Sequence, residues 1–153
     1  MKISDLLTTE SIITGAKVES KDQAISTLID LHDKVGNLSD KAAYTQGILQ
    51  REAECRTAIG EGIAIPHAKS NAVKHPGLAA ITVPGGIDCG ALDGPSNLIF
   101  MIAAPMDGDL HLEILSGLVS LLMDPDLRAR LLKSTAPEAF LDELNQAEAE
   151  KAQ

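Results

Sequence analysis

Tryptophan is absent from this 153-residue chain, and its aromatic side chains are Tyr44, Phe100 and Phe140. A stacking platform for nucleic-acid bases is therefore not expected, and the core has to be aliphatic. Positive charge is also scarce: 13 Lys and Arg stand against 22 Asp and Glu, for a formal net charge of −9. That balance argues against a nucleic-acid or anionic-membrane surface. The cysteines are Cys55 and Cys89, with no C-x-x-C spacing, and they read as reduced cytosolic thiols. No apolar run reaches the roughly 18 residues that would span a bilayer, and no secretory signal precedes residue 20. These absences together predict a cytoplasmic protein, in which the sequon-like Asn37-Leu38-Ser39 carries no meaning.

What remains is an ordinary globular composition, 44% apolar, in a length that suits one domain. The chain is organised around Gly60-Glu61-Gly62-Ile63-Ala64-Ile65-Pro66-His67-Ala68-Lys69. Alternating Ile63 and Ile65 predict a short buried strand, which Pro66 should end because it cannot donate to a ladder. His67 is then expected just past the carboxyl end of that strand, where open α/β sheets place their ligands.

Elsewhere, residues 11–14 suggest a brief strand. Ser20 and Gln23 form a capping-box pattern opening a helix with Ala24, Ile25, Leu28, Ile29 and His32 on one stripe, closed by Gly36. Ser39 is expected to cap a second helix running to about Ala53. Residues 78–83 predict a strand closed by Pro84-Gly85-Gly86, and residues 87–96 a loop. Residues 97–104 are almost wholly apolar, as in a strand covered on both faces. Helices are expected near 110–123, 126–133 and 137–147. Residues 146–153 lack an apolar stripe and read as a fraying helix end or the start of a linker after a domain of 1–145. Helices alternating with short buried strands make a layered α/β domain.

Four histidines carry the chemical possibilities. His32, on an apolar helix stripe, reads as structural, and His75, before Pro76-Gly77, as a solvated loop residue. His111 falls in the first turn of a helix, where unpaired amides and the macrodipole favour an anion and disfavour a protonated imidazole. A neutral imidazole there can donate to a phosphoryl oxygen; a plain surface histidine beside Asp107 and Asp109 is the other reading. His67 offers a nucleophile that is neutral at pH 7. A phosphoryl group on it would bring about two negative charges, to be met by amides near Gly60 and Gly62 and by a guanidinium, Arg51 or Arg56. Alone, that string is a weak signal. The Gly-Lys pair of a Walker A loop is missing, since His67-Ala68 precede Lys69-Ser70. No nucleophile elbow is present, and Cys55, His67, His75 and Cys89 match no common zinc spacing. No metal or cofactor is expected.

The residues so assembled resemble the fructose/mannitol-type enzyme IIA domain of the bacterial sugar phosphotransferase system. The likeness covers residues 3–145 or so and is carried by Arg51-Glu52, by Ala58 through Lys69, and by Met101-Ile102-Ala103-Ala104-Pro105 followed by His111-Leu112. The resemblance implies a three-layer α/β/α fold with a mixed sheet flanked by helices. It implies that His67 accepts a phosphoryl group from phospho-HPr and passes it to a cysteine of enzyme IIB, supported by His111 and Arg51. It assigns nothing to Arg56. Ala68-Lys69 after the histidine looks more like fructose-type than mannitol-type wording. The alternative is a nitrogen-type regulatory enzyme IIA that signals by phosphorylation-dependent protein binding. The tail would suit either a subunit or a domain tethered to a membrane permease. A shallow apolar rim is expected around His67, with Ile63, Ile65 and Leu112 as contributors if they are not core.

Overall fold

A computed structural model describes residues 2–54 and 56–152. Its central strand is β6 (Ser96–Ala104), the near-continuous apolar run. Because side chains alternate across a strand, β6 feeds two cores. Leu98, Phe100, Ile102 and Ala104 join one cluster, and Ile99, Met101 and Ala103 the other. Helices α1 (Lys21–Lys34) and α2 (Lys41–Glu54) contribute to the second core. Helices α3 (Leu110–Leu122), α4 (Pro125–Lys133) and α5 (Pro137–Lys151) contribute to the first. The result is the three-layer α/β/α arrangement expected. None of the helices among the described residues is long and apolar enough to cross a membrane.

The sheet is mixed. β1 (Ile12–Ile13) runs parallel to β5 (Gly77–Ile87), which pairs antiparallel with β6. On the other side of β6 lie β3 (Ile63–Ala64) and then β4 (His67–Lys69), both parallel to it. β2 (Ala58–Gly60) pairs antiparallel with β3. β3 ends before Pro66, as expected, but a second strand follows directly after it, which the sequence reading did not foresee. Pro66 cannot donate, but its carbonyl still accepts from the amide of Ile102 at 3.0 Å, and the chain resumes alongside β6 at once. His67, facing Ile102 in register, is the first residue of β4 rather than a residue beyond a strand.

Two other boundaries moved for similar reasons. Asp40, not Ser39, caps α2, its carboxylate accepting from the amide of Ala43 at 3.1 Å. Residues 83–86 bulge out of β5 between the pairs Thr82–Leu98 and Ile87–Ser96, so Pro84-Gly85-Gly86 interrupts that strand without ending it. The cap of α1 is as expected: the Ser20 hydroxyl accepts from the amide of Gln23 at 3.1 Å, and the Gln23 side chain accepts from the amide of Glu19 at 2.8 Å. Residues 146–151 are the last turns of α5. They fold back on the chain start, where the Glu148 carboxylate accepts from the amides of Ile3 and Ser4 at 2.6 and 2.7 Å.

Candidate functional site

The last turns of α2 and the first turn of α3 approach from opposite faces of the sheet and meet over the short strand β4. Between them is a cleft of about 440 Å³ lined by Gly47, Gln50, Arg51 and Glu54 of α2, His67, Ala68 and Lys69 of β4, and His111, Leu112 and Leu115 of α3. α2 lies close to β4 at Gly47, where an added Cβ would make an ordinary 3.7 Å contact with that of Ala68. Its height is set by Tyr44, fully buried, whose hydroxyl donates to the carbonyl of Ile102 at 2.9 Å. Ile102 is the register partner of His67. At the other end of the helix the Glu52 carboxylate pairs with Lys21 at 2.5 Å and accepts from the Thr57 hydroxyl. Arg51 is thus held between two anchors and faces the cleft.

His67 is half-buried, and its Nδ1 lies 2.8 Å from the carbonyl oxygen of Ile65. A carbonyl can only accept, so Nδ1 carries the proton and Nε2 keeps its lone pair. The strand geometry thereby fixes one tautomer and leaves the ring's outer nitrogen bare.

His111 is also half-buried, and its Nδ1 is enclosed with no hydrogen-bond partner among the described residues. Desolvation is the first cause that lowers its pKa, followed by the positive charge of Lys69, then His67 and Arg51, with Asp109 opposing. The imidazole is accordingly held neutral. Asp109 at the head of α3 makes no side-chain cap, while its carbonyl accepts from the amides of Leu112 and Glu113 at 3.0 and 3.3 Å.

The structure brings together the three residues singled out for chemistry, His67, His111 and Arg51, on one cleft. It does not bring the others. Gly60 and Gly62 shape the β2–β3 turn, both at positive φ (90° and 77°), and neither lines the cleft. A Cβ on Gly62 would lie 2.5 Å from Oδ1 of Asn97; the glycines serve a turn and a close packing contact, not anion binding. Arg56 donates to the carbonyl of Gly90 at 3.1 Å, away from the cleft. Ile63 and Ile65 are core residues, whereas Leu112 is 52% exposed on the rim.

His32 is structural: buried, it meets the carbonyl of Met101 and the side-chain amide of Asn37, each at 3.0 Å. His75 is exposed. Cys89 is buried and Cys55 lies outside the described residues. Lys69 entered the sequence reading as part of the motif wording after His67, and Tyr44 and Glu52 had no assigned role. Burial of a lone tyrosine is visible in a sequence, but what its hydroxyl reaches is not.

The family model for the phosphoenolpyruvate-dependent sugar phosphotransferase system, EIIA 2, matches residues 5–147. The chain is 43% identical over 148 residues to the fructose-specific EIIABC component of Bacillus subtilis, covering 95% of this chain and 23% of that protein's length. It is 39% identical over 144 residues to the fructose-specific EIIA component of Haloferax volcanii, covering 93% of this chain and 94% of the relative. Among solved structures, the nitrogen regulatory protein IIA-Ntr of Neisseria meningitidis superposes with a TM-score of 0.84 at 28% identity, covering 93% of this chain and 98% of that one.

Proposed function

Because the chain belongs to the phosphoenolpyruvate-dependent sugar phosphotransferase system EIIA 2 family, we propose that it is a phosphocarrier whose acceptor is Nε2 of His67. The observation that carries this is the bond from Nδ1 of His67 to the carbonyl of Ile65. It protonates the inner nitrogen and aims the other lone pair outward, at a cleft with a guanidinium and a neutral imidazole.

The lone pair of Nε2 attacks the phosphorus of phospho-HPr as the donor's N–P bond breaks, and that electron pair returns to the donor ring. The product keeps its proton on Nδ1, which still donates to the Ile65 carbonyl. In the second transfer a thiolate of enzyme IIB attacks the phosphorus, and the N–P electron pair returns to Nε2. Little covalent chemistry is asked of the surroundings. Arg51 offers charge-assisted hydrogen bonds to the phosphoryl oxygens, and His111 donates one through Nε2–H. Positioning supplies the rest. Leu112 is an exposed apolar contact for a transient partner interface.

The two fructose-specific relatives favour fructose-type sugar as the destination, and the fused name EIIABC favours an enzyme IIB partner, tethered in the longer relative. The fit to a nitrogen regulatory protein supports a second reading, in which the same phosphohistidine toggles binding to a regulated protein. Incubation with enzyme I, HPr and phosphoenolpyruvate tests the main reading. One acid-labile phosphoryl group is expected on the protein and none on the His67→Gln variant, with rapid chase onto enzyme IIB. Equal labelling of the variant removes the proposal, and a phosphorylated form that enzyme IIB does not discharge favours the regulatory reading.

A further inference from the structure

The transfer just described uses one of the cations that line the cleft and leaves another, Lys69, without a task. Residues two apart on a strand project to the same side, so Lys69 leaves β4 on the side of His67. Ala68 between them turns into the opposite core, against Gly47. Lys69 is half-buried, and among the described residues no ion pair neutralises it or Arg51. The carboxylate on the cleft, Glu54, is exposed and pairs with neither. Lys69 lines the same cleft as His111, and of the positive groups acting on that imidazole its charge is the strongest. Arg51 comes from the α2 wall of the same cleft. Partly desolvated cations with no counter-charge are unfavourable until an anion joins them.

We propose that Lys69 is a ligand of the phosphoryl group, and that its ammonium and the Arg51 guanidinium together hold a tetrahedral oxyanion against Nε2 of His67, before transfer as well as after it. This rests on reading the cleft as the phosphoryl site. The donors come from three elements, Arg51 from α2, Lys69 from β4 and His111 from α3, one for each non-bridging oxygen. The two full charges match the roughly two negative charges of the phosphoryl group. His111 then serves best as a neutral donor, because a third positive charge would exceed what the anion balances.

The test uses the full chain as wild type, Lys69→Met and Lys69→Arg, with thermal midpoints recorded to show that each folds. Inorganic phosphate is titrated at constant ionic strength while the ring resonances of His67 and His111 are followed by NMR. Wild type should saturate, Lys69→Met should bind at least fivefold more weakly, and Lys69→Arg should stay within twofold of wild type. Acceptance from phospho-HPr should fall about tenfold to a hundredfold in Lys69→Met. No saturable effect of phosphate on wild type, or Lys69→Met within twofold of wild type in both assays, overturns the proposal. Lysine-dependent phosphate binding in a protein that phospho-HPr fails to label would support the oxyanion site while removing the relay. A protein that relays phosphate through His67 regardless of residue 69 would retire Lys69 alone.

Discussion

Lowering the pH from 7 to 4 should destabilise this protein in part through His32, a residue that does not line the cleft. The ring is fully buried, its Nε2–H donating to the carbonyl of Met101 and its Nδ1 accepting from the side-chain amide of Asn37, each at 3.0 Å. The neutral ring satisfies both neighbours. Protonation would add a donor at Nδ1, opposite another donor, in a site closed to solvent. Burial accordingly lowers its pKa from 6.5 to about 4, with the Met101 hydrogen bond opposing.

Between those values the unfolded chain binds a proton that the folded chain refuses, so stability is complete above pH 6.5, falls as the pH drops, and levels off below pH 4. A depression of that size is worth about 3 kcal/mol, a large share of the roughly 5–15 kcal/mol that holds a domain together. Urea denaturation at half-unit intervals from pH 7 to 4 would measure it, with His32→Leu as the comparison. The variant should be weaker at pH 7, since Met101 and Asn37 lose a partner, yet flatter with pH by about 3 kcal/mol. Carboxylate titration is common to both and cancels. Parallel pH profiles for the two proteins would refute the argument.

Other outcomes follow from the cleft and its frame. Arg51→Ala should lose about 2–4 kcal/mol of transition-state stabilisation in acceptance from phospho-HPr; a rate within twofold of wild type would retire that role. His111→Ala should keep the thermal midpoint while slowing onward transfer. In wild type the His111 NMR titration midpoint should fall below 6.5, because desolvation and the charges of Lys69, His67 and Arg51 outweigh Asp109. The neutral donor then persists as the pH drops through 6.5, and a midpoint above that value contradicts the assignment. Gly62→Ala should cost about 1–3 kcal/mol in urea denaturation, since the residue sits at a φ of 77° with Asn97 Oδ1 2.5 Å from the added methyl; an unchanged midpoint would show that the turn yields.

Features that depend on local chemistry were readable from the chain. The Ser20–Gln23 cap, the two-faced burial of β6 and the apolar stripe of α1 follow from spacing alone. So did the meeting of His67, His111 and Arg51, though there the family resemblance carried the weight and spacing very little. What escaped was decided by neighbours in space. Pro66 closes β3 as its chemistry predicts, but the resumption of pairing at His67 is seen only with β6 alongside, whose Ile102 amide donates to the Pro66 carbonyl. Gly60 and Gly62 look like anion-binding glycines until Asn97 is found against Gly62. Arg51 and Arg56 are equivalent as charges; the family resemblance favoured Arg51, and the Glu52–Lys21 and Tyr44–Ile102 anchors on α2 and the Gly90 carbonyl near Arg56 give the physical reason.

The site of phosphorylation within the ring of His67 is the sharpest question that can be put to this structure. Nitrogen-15 and phosphorus-31 NMR on the protein phosphorylated by phospho-HPr would answer it through the one-bond coupling. Coupling at Nε2, with Nδ1 still protonated toward Ile65, is the predicted result. Phosphorus on Nδ1, or on His111, would contradict it.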